Sequence, residues 1–138
     1  MNAISVAVLS VALSTSALAN EKAPFNVRDL VAMERVSSPT LSPDGRMVVF
    51  AVRQADVAAN KSKTGLWIEN LMARDAMPPT RFTDESLNVN SPSFSPDGKT
   101  VYFLSAKSGS MQLLAQALDA KTAMQISNFD LDVGSYKI

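Results

Sequence analysis

The 138-residue sequence contains no histidine and no cysteine, and these two absences exclude several kinds of chemistry. Without histidine the chain cannot complete a Ser-His-Asp triad or build a histidine-based metal site. Without cysteine it can form neither a disulfide framework nor a thiol nucleophile. The 13 basic and 13 acidic residues cancel, so the net charge gives no reason to expect nucleic-acid or anionic-membrane binding.

The N-terminal stretch carries no charged side chain before Glu21. Its apolar core spans residues 4–13, and Ala17-Leu18-Ala19 offers the small-residue pattern that signal peptidases cut. The stretch is too short for a membrane span, which needs about 20 apolar residues. The missing Lys or Arg before the core is atypical of a signal peptide. We predict a signal peptide over residues 1–19 and an exported protein, periplasmic or secreted, with a buried N-terminal helix as the alternative.

A fifteen-residue stretch that begins at Val36 returns from Val89, with nine identical positions. Each copy contains Ser-Pro-Asp-Gly, at residues 42–45 and again at 95–98. Proline presets the second position of a turn, aspartate suits the third, and glycine supplies the positive φ that closes a three-residue hairpin with a bulge. Because β-branched and aromatic residues follow each turn, the repeating unit is predicted to be strand, tight turn, strand.

Further elements are predicted around the first hairpin. A short helix is predicted over residues 25–35, with Asn26 as its N-cap. The polar residues 54–64 are predicted to form a loop. A third strand is predicted over residues 66–71 and a fourth over residues 80–83.

The second unit repeats this order with shorter loops. Residues 112–118 correspond to the third strand at an offset of 47, and residues 125–127 to the fourth at an offset of 44. Leu, Ala and Gln favour a helix over residues 112–118, but the repeat register favours a strand. Residues 131–138 continue at the offset of 44, which predicts the start of a third unit and a truncated chain.

Four short strands that recur every 44 to 53 residues are typical of β-propeller blades. The predicted fold is all-β, an incomplete β-propeller of about two four-stranded blades. The predicted segments are a signal peptide over 1–19, a lead-in segment with a short helix over 20–35, blade 1 over 36–84, blade 2 over 85–128 and the start of a third blade over 129–138. Closed propellers have about 4 to 8 blades, so we expect marginal stability and self-association through an uncovered blade face.

The run from Val27 to Pro39, followed by Leu41-Ser42-Pro43-Asp44-Gly45-Arg46, resembles the start of the propeller in S9 (prolyl oligopeptidase) family serine peptidases. The similarity is to exported bacterial acylaminoacyl-peptidase and dipeptidyl-peptidase-like members, and it covers nearly all of residues 25–138. The resemblance implies a C-terminal α/β-hydrolase domain that carries a G-x-S-x-G elbow, an Asp and a His. It also implies that the propeller restricts substrates to short peptides and helps to bind the peptide N-terminus.

No catalytic residue of that family can be transferred to this chain. Gly109-Ser110 and Gly134-Ser135 do not complete the elbow, and the acidic residues that bind the peptide N-terminus in dipeptidyl peptidases are not recognisable. Asp44 and Asp97 could be mistaken for a carboxylate pair, but their turns account for them. The prediction is therefore that catalytic, cofactor-binding and metal-binding residues are all absent, and that no cofactor is needed.

Three smaller features of the sequence each allow both a functional and a purely structural interpretation. Asp130 and Asp132 could donate oxygens to Ca²⁺ but lack further ligands, which favours a solvated loop. Asn60-Lys61-Ser62 matches a glycosylation sequon, which is relevant only in a eukaryotic secretory pathway. Lys61-Ser62-Lys63 is too short a basic cluster to bind a phosphate backbone. Trp67 is predicted to lie in the core at a blade interface, with an exposed peptide-stacking role as the alternative.

Three functional hypotheses stay open. In the first, the chain is the N-terminal propeller part of an exported S9 peptidase, and it gates or positions oligopeptides for a missing hydrolase domain. Alternatively, it is a TolB-like periplasmic scaffold without activity, or a decayed or frameshifted product. The lead-in helix favours the first. The expected partners are peptide substrates, reached through the missing catalytic domain, and not nucleic acid or, after signal cleavage, a membrane.

Overall fold

The computed structural model describes residues 24–73 and 77–138, so the predicted signal peptide over residues 1–19 lies outside the described residues. Within these ranges the chain forms one helix and two four-stranded sheets. The elements are α1 (Val27–Ala32), β1 (Arg35–Leu41), β2 (Met47–Asp56), β3 (Lys61–Asn70), β4 (Thr80–Arg81), β5 (Val89–Phe94), β6 (Thr100–Ser105), β7 (Gln112–Ala117) and β8 (Met124–Gln125). The predicted all-β architecture is confirmed.

Helix α1 begins where the sequence predicts, because Asn26 and Asp29 form a capping box. Asn26 Oδ1 accepts hydrogen bonds from the backbone N–H groups of Arg28 at 2.8 Å and Asp29 at 3.3 Å, and Asp29 Oδ2 accepts one from Asn26 N at 2.9 Å. The helix buries none of its residues, so its cap stabilises it more than packing does. Among the described residues, no helix is long and apolar enough to cross a bilayer.

Each sheet is an antiparallel meander in which successive strands are hydrogen-bonded neighbours, in the orders β1-β2-β3-β4 and β5-β6-β7-β8. Residues 112–118, for which propensity favoured a helix and the repeat register a strand, contain strand β7. This strand pairs with β6 so that Leu113 lies opposite Leu104. The prediction from the repeat register is confirmed. Cross-strand pairing therefore overrides the helix propensity of Leu, Ala and Gln here.

The predicted loop over residues 54–64 is wrong. Strand β2 continues to Asp56 and β3 begins at Lys61, where these two residues pair. The turn is confined to residues 57–60, and Asp56 Oδ1 accepts a hydrogen bond of 2.9 Å from Ala59 N inside it. Residues 53–64 form an exposed extension of the β2–β3 hairpin, called here the hairpin arm. Because most of its side chains face solvent, its polar composition concealed the strands.

One apolar cluster joins the two sheets. Alternate residues point to the same face of a strand, so the cluster takes every second residue from the central strands. Its buried members are Val49, Ala51, Leu66, Leu87, Val89, Phe94, Val101, Phe103 and Leu114. Complete burial of a side chain such as Phe103 stabilises the fold by about 1.5–3 kcal/mol. The core therefore lies between the sheets and makes them one unit.

Trp67 does not belong to this cluster, so it is not part of the core between the two sheets, and its predicted place at a blade interface stays a prediction for the other face of the first sheet. Its neighbours Leu66 and Ile68 face the second sheet, so the alternation of β3 turns Trp67 to the opposite face. There it lies across from Phe50 on β2, and both side chains are half-buried. A strand-centre aromatic is ambiguous between two faces until the register is known.

Candidate functional site

The first Ser-Pro-Asp-Gly corner closes through its own side chains. Gly45 has φ +69° and donates a backbone hydrogen bond of 2.9 Å to the Ser42 carbonyl oxygen. Asp44 Oδ1 accepts hydrogen bonds from Ser42 Oγ at 2.6 Å and from Arg46 N at 3.1 Å. Ser42 Oγ in turn accepts one of 2.9 Å from Met47 N, which fixes the start of β2.

The second corner repeats the same bonds. Gly98 has φ +69°, and Asp97 Oδ1 accepts hydrogen bonds from Ser95 Oγ at 2.5 Å and Lys99 N at 3.1 Å. Ser95 Oγ accepts one of 3.0 Å from Thr100 N. The repeat in sequence is therefore a repeat in geometry, down to single side-chain atoms.

The same bonds set the electrostatics of the two corner carboxylates. The Ser42 hydroxyl, followed by the Arg46 backbone N–H, holds the pKa of Asp44 below its usual range. The Ser95 hydroxyl lowers the pKa of Asp97 in the same way. Each carboxylate is exposed and engaged within its own turn, so the arrangement serves the corner and does not bring the two carboxylates together as an acid–base pair.

A second repeated contact joins one unit to the next. The backbone N–H of Thr64 donates to Asn88 Oδ1 at 2.9 Å, and that of Met111 donates to Asp132 Oδ1 at 2.5 Å. Both pairs stand at the repeat offsets of 47 and 44 residues. Asp132 therefore caps a strand, and within the described residues no three acidic side chains group together as a metal site would need. The segment 129–138 contacts the second sheet through this bond.

Tyr136 makes a further contact between this segment and the second sheet, in addition to the hydrogen bonds that join Phe129 to Gln112 and Val133 to Met111. Its hydroxyl oxygen lies 2.5 Å from the Ser91 carbonyl oxygen and 2.8 Å from the Tyr102 carbonyl oxygen. Burial raises the pKa of this phenol to about 12, so the neutral hydroxyl donates at any physiological pH. No local pattern predicts this role, since it depends on contacts with residues 34 and 45 positions away in the chain.

Two left-handed serines shape the first strand of each sheet. Ser38 and Ser91 have φ of 51° and 54°, and both precede a proline inside β1 and β5. The strand register shifts at both places, as at a β-bulge. Sequence reasoning missed these bulges, although a proline inside a predicted strand was the available signal. They bring Thr40 Oγ1 within 3.1 Å of the Pro92 carbonyl oxygen.

Gln116 bridges the outer parts of the two sheets. Its Nε2 donates to the Phe82 carbonyl oxygen at 2.9 Å and to the Ala120 carbonyl oxygen at 3.1 Å, and the side chain is buried. Its Oε1 has no hydrogen-bond partner in the described part of the chain. Inner bulges and this outer bridge therefore hold the sheets together at both ends.

The described surface also holds an open cleft of about 300 Å³ between α1 and the hairpin arm. Its lining includes Val31 and Met33 from the helix end and Arg35, Arg53 and Lys61 from the strands. The predicted basic cluster thus contributes one of its two lysines to the cleft. Lys63 lies on the same arm, opposite Gln54.

Curated relatives of the chain include two proteins named dipeptidyl-peptidase 5. The chain is 36% identical over 104 residues to dipeptidyl-peptidase 5 of Porphyromonas gingivalis and 30% identical over 107 residues to dipeptidyl-peptidase 5 of Porphyromonas endodontalis. These matches take in 75% and 78% of the chain and 15% of each relative. The chain therefore spans a small part of the length of these relatives. No family model matches it.

Solved structures resemble the fold at low sequence identity. The isopeptidase AtxE2 superposes with a TM-score of 0.61 at 22% identity, over 81% of this chain and 21% of that protein. The β-propeller domain of the Trilobed protease from Pyrococcus furiosus superposes with a TM-score of 0.52 at 23% identity, over 68% of this chain and 27% of that protein. A putative TolB from Agrobacterium tumefaciens superposes with a TM-score of 0.53 at 23% identity, over 69% of this chain and 31% of that protein. These likenesses show an incomplete propeller.

Proposed function

Since the chain is a propeller segment of the S9 (prolyl oligopeptidase) family, we propose that it helps to form the substrate-controlling domain of an exported peptidase. In this proposal the propeller gates or positions oligopeptides, and an α/β-hydrolase domain of the same protein cleaves them. The 36% identity to a protein named as a dipeptidyl-peptidase carries the proposal.

The chemistry of the chain supports a division of labour between two domains. The sequence contains no histidine, so a Ser-His-Asp centre has to draw its base from other residues than these. What the segment does supply is a fixed frame, built from the two corners, the shared core and the bonds between the sheets. A frame of this kind can restrict which peptides reach a reacting group without supplying that group itself.

Export is the part of the proposal that rests on residues 1–19 alone. A small-residue cleavage pattern after an apolar core supports it. The test is cell fractionation of a bacterium that expresses the full chain, beside a variant that lacks residues 2–19. The full chain should be recovered outside the cytoplasm at a reduced mass, and the deletion variant should stay inside. Equal cytoplasmic recovery of both proteins would contradict export.

The peptidase proposal is tested by exchanging domains. Residues 24–138 replace the corresponding segment of dipeptidyl-peptidase 5 of Porphyromonas gingivalis, and hydrolysis of a series of peptides of increasing length is measured. We expect the chimera to cleave peptides, with KM and the length limit changed more than kcat, because the segment controls access and not the chemical step. A matched chimera carries the equivalent TolB segment and should lose activity.

A second candidate function is a propeller scaffold without enzymatic activity. The TolB likeness favours it, since the chain covers 31% of that structure at a TM-score of 0.53. The two chimeras separate the candidates. If the chimera folds but hydrolyses no peptide, while the parent enzyme remains active under the same conditions, the scaffold is the better reading.

A further inference from the structure

Two arginines stand directly opposite each other on neighbouring strands of the first sheet. Arg35 on β1 pairs with Arg53 on β2, so both side chains project from the same face. Directly opposed residues have Cβ atoms about 4.5–5.5 Å apart, and like charges in that position destabilise a sheet. Guanidinium groups stay charged at any physiological pH. Electrostatic repulsion between the two guanidinium groups therefore destabilises the sheet, and a bound anion would offset this repulsion.

Among the described residues, no carboxylate forms an ion pair with either of these arginines. The ion pair found in this part of the chain is Arg46–Asp44, which lies at the first corner. Glu34 is adjacent to Arg35, but its Oε1 accepts a hydrogen bond of 2.6 Å from Gln54 Nε2 instead. A like-charged pair of this kind, left without a carboxylate partner, is typical of an anion-binding surface.

The cleft gives the pair a defined site. Its lining also includes Asn60 and Ser62 of the hairpin arm, together with Lys61 and Asp56, which are paired with each other across the two strands of the arm. Three cations against one anion leave the lining with a formal charge of about +2. Asp56 Oδ1 is already engaged with the turn of the hairpin arm through Ala59 N. The apolar end of α1 closes the opposite wall with Val31 and Met33.

We propose that this cleft binds the carboxylate of a short peptide, with Arg35 and Arg53 as its bidentate partners and the α1 wall in contact with an adjacent apolar side chain. Two opposed guanidinium groups fit the two oxygens of a carboxylate. A peptide is the chosen occupant because of the proposed function, on which this inference rests. The cleft then selects peptides by charge, in addition to any selection by length.

The experiment measures binding without turnover. The 138-residue chain is titrated into three N-terminally fluorescein-labelled peptides, and fluorescence anisotropy is recorded at pH 7. The peptides are Ala-Ala-Leu with a free C-terminus, Ala-Ala-Leu-amide, and Ala-Glu-Leu-amide, so that main-chain and side-chain carboxylates are distinguished. We expect at least one of the two carboxylate peptides to bind about tenfold or more tightly than Ala-Ala-Leu-amide, and its binding to weaken as salt is raised.

Three variants test the residues. Arg35→Gln and Arg53→Gln should each weaken binding of the carboxylate peptide about tenfold, and Lys99→Gln, which removes a cation at the second corner, should leave it unchanged. The two arginine variants should also be at least as resistant to urea as the wild type, because the opposed charges are gone. This second readout shows that lost binding is not lost folding.

The outcomes are separable. Equal binding of all three peptides, an equal loss in Lys99→Gln, or full competition by acetate at the concentration of the peptide would overturn the carboxylate site. The domain-exchange experiment above scores hydrolysis and not this binding. Failure of the cleft therefore leaves the proposed function standing, and an inactive chimera with selective peptide binding leaves the cleft standing.

Discussion

The Thr40 hydroxyl donates a hydrogen bond of 3.1 Å to the Pro92 carbonyl oxygen and so joins the first strand of one sheet to the first strand of the next. Both residues lie just after a left-handed serine, Ser38 in one strand and Ser91 in the other. The repeated bulge thus turns two equivalent backbone segments toward each other. A contact between sheets depends here on a local distortion within each of them.

Replacement of Thr40 by valine should lower the free energy of unfolding by about 1 kcal/mol, because the side-chain volume is kept and the hydrogen bond is lost. Urea denaturation, followed through the fluorescence of the single tryptophan, measures the change. Thr40→Ser keeps the hydroxyl and should lose less than Thr40→Val. If Thr40→Val loses no stability while Thr40→Ser does, packing of the methyl group and not the hydrogen bond is responsible.

Replacement of Gly45 by alanine should destabilise the first corner by about 1 kcal/mol or more. At φ +69° a Cβ is strained, although it would meet no atom within 4 Å. The cost is therefore conformational and not a clash. Gly134→Ala is the control, since Gly134 also has open space around it and no positive φ. A similar loss in both variants would contradict a cost that arises from φ.

The corner carboxylates should make the protein sensitive to acid. Hydrogen bonds hold the pKa of Asp44 and of Asp97 below 3.8 in the folded state. The charged forms therefore contribute stability above that value, and this contribution is lost as pH falls through the lowered folded-state pKa. The double variant Asp44→Asn, Asp97→Asn should flatten the dependence of the unfolding midpoint on pH below about 4.

The control for the acid limb is Asp119→Asn, which removes an exposed carboxylate outside both corners. It should leave the slope of stability against pH in this range close to that of the wild type. An unchanged slope in the double variant would mean that the corner hydrogen bonds do not favour the charged carboxylates.

Replacement of Tyr136 by phenylalanine should cost about 0.5–1.5 kcal/mol, because the hydroxyl donates to a backbone carbonyl oxygen at Ser91 or Tyr102. The effect should also depend on pH. Burial raises the pKa of Tyr136 from 10.0 to about 12, so its stabilising contribution is complete below pH 10 and decreases as pH rises toward 12. Phe at this position should remove that alkaline decrease.

Tyr102→Phe is the matched control, since the contact uses the Tyr102 carbonyl oxygen and not its hydroxyl. It should change neither the neutral stability nor the alkaline limb by a comparable amount. Equal effects of the two variants would show that segment 129–138 is not anchored by the Tyr136 hydroxyl.

Local chemistry made much of this fold predictable from sequence. The Ser-Pro-Asp-Gly corners carry their own bonding partners within six residues, and Asn26 and Asp29 define the start of α1 in the same way. Alignment of the two copies also resolved the choice between helix and strand for β7, because its residues align with the third strand of the first unit. Where the determinant lies within one turn, or within one repeat, sequence reasoning is sufficient.

Contacts between distant residues were not predictable in this way. Nothing local in Asn88 or Gln116 marks the backbone atoms that they bind on other strands. The hairpin arm was missed because an exposed strand pair has no apolar side to reveal it. The face of the sheet on which Trp67 lies was not predictable, since a short apolar run shows no alternation until its neighbours are paired.

The bonds from Thr64 to Asn88 and from Met111 to Asp132 also bear on how such a molecule can change over evolutionary time. Each unit is bonded to the segment that follows it through the same pair of positions, whatever the lengths of the connecting loops. Gene duplication can therefore insert another module, and deletion can remove one, with the joint between modules already made. The size of the ring in this architecture then depends on the number of blades. Each added blade changes the free energy of folding by its own stability and by that of its interface with the neighbouring blade.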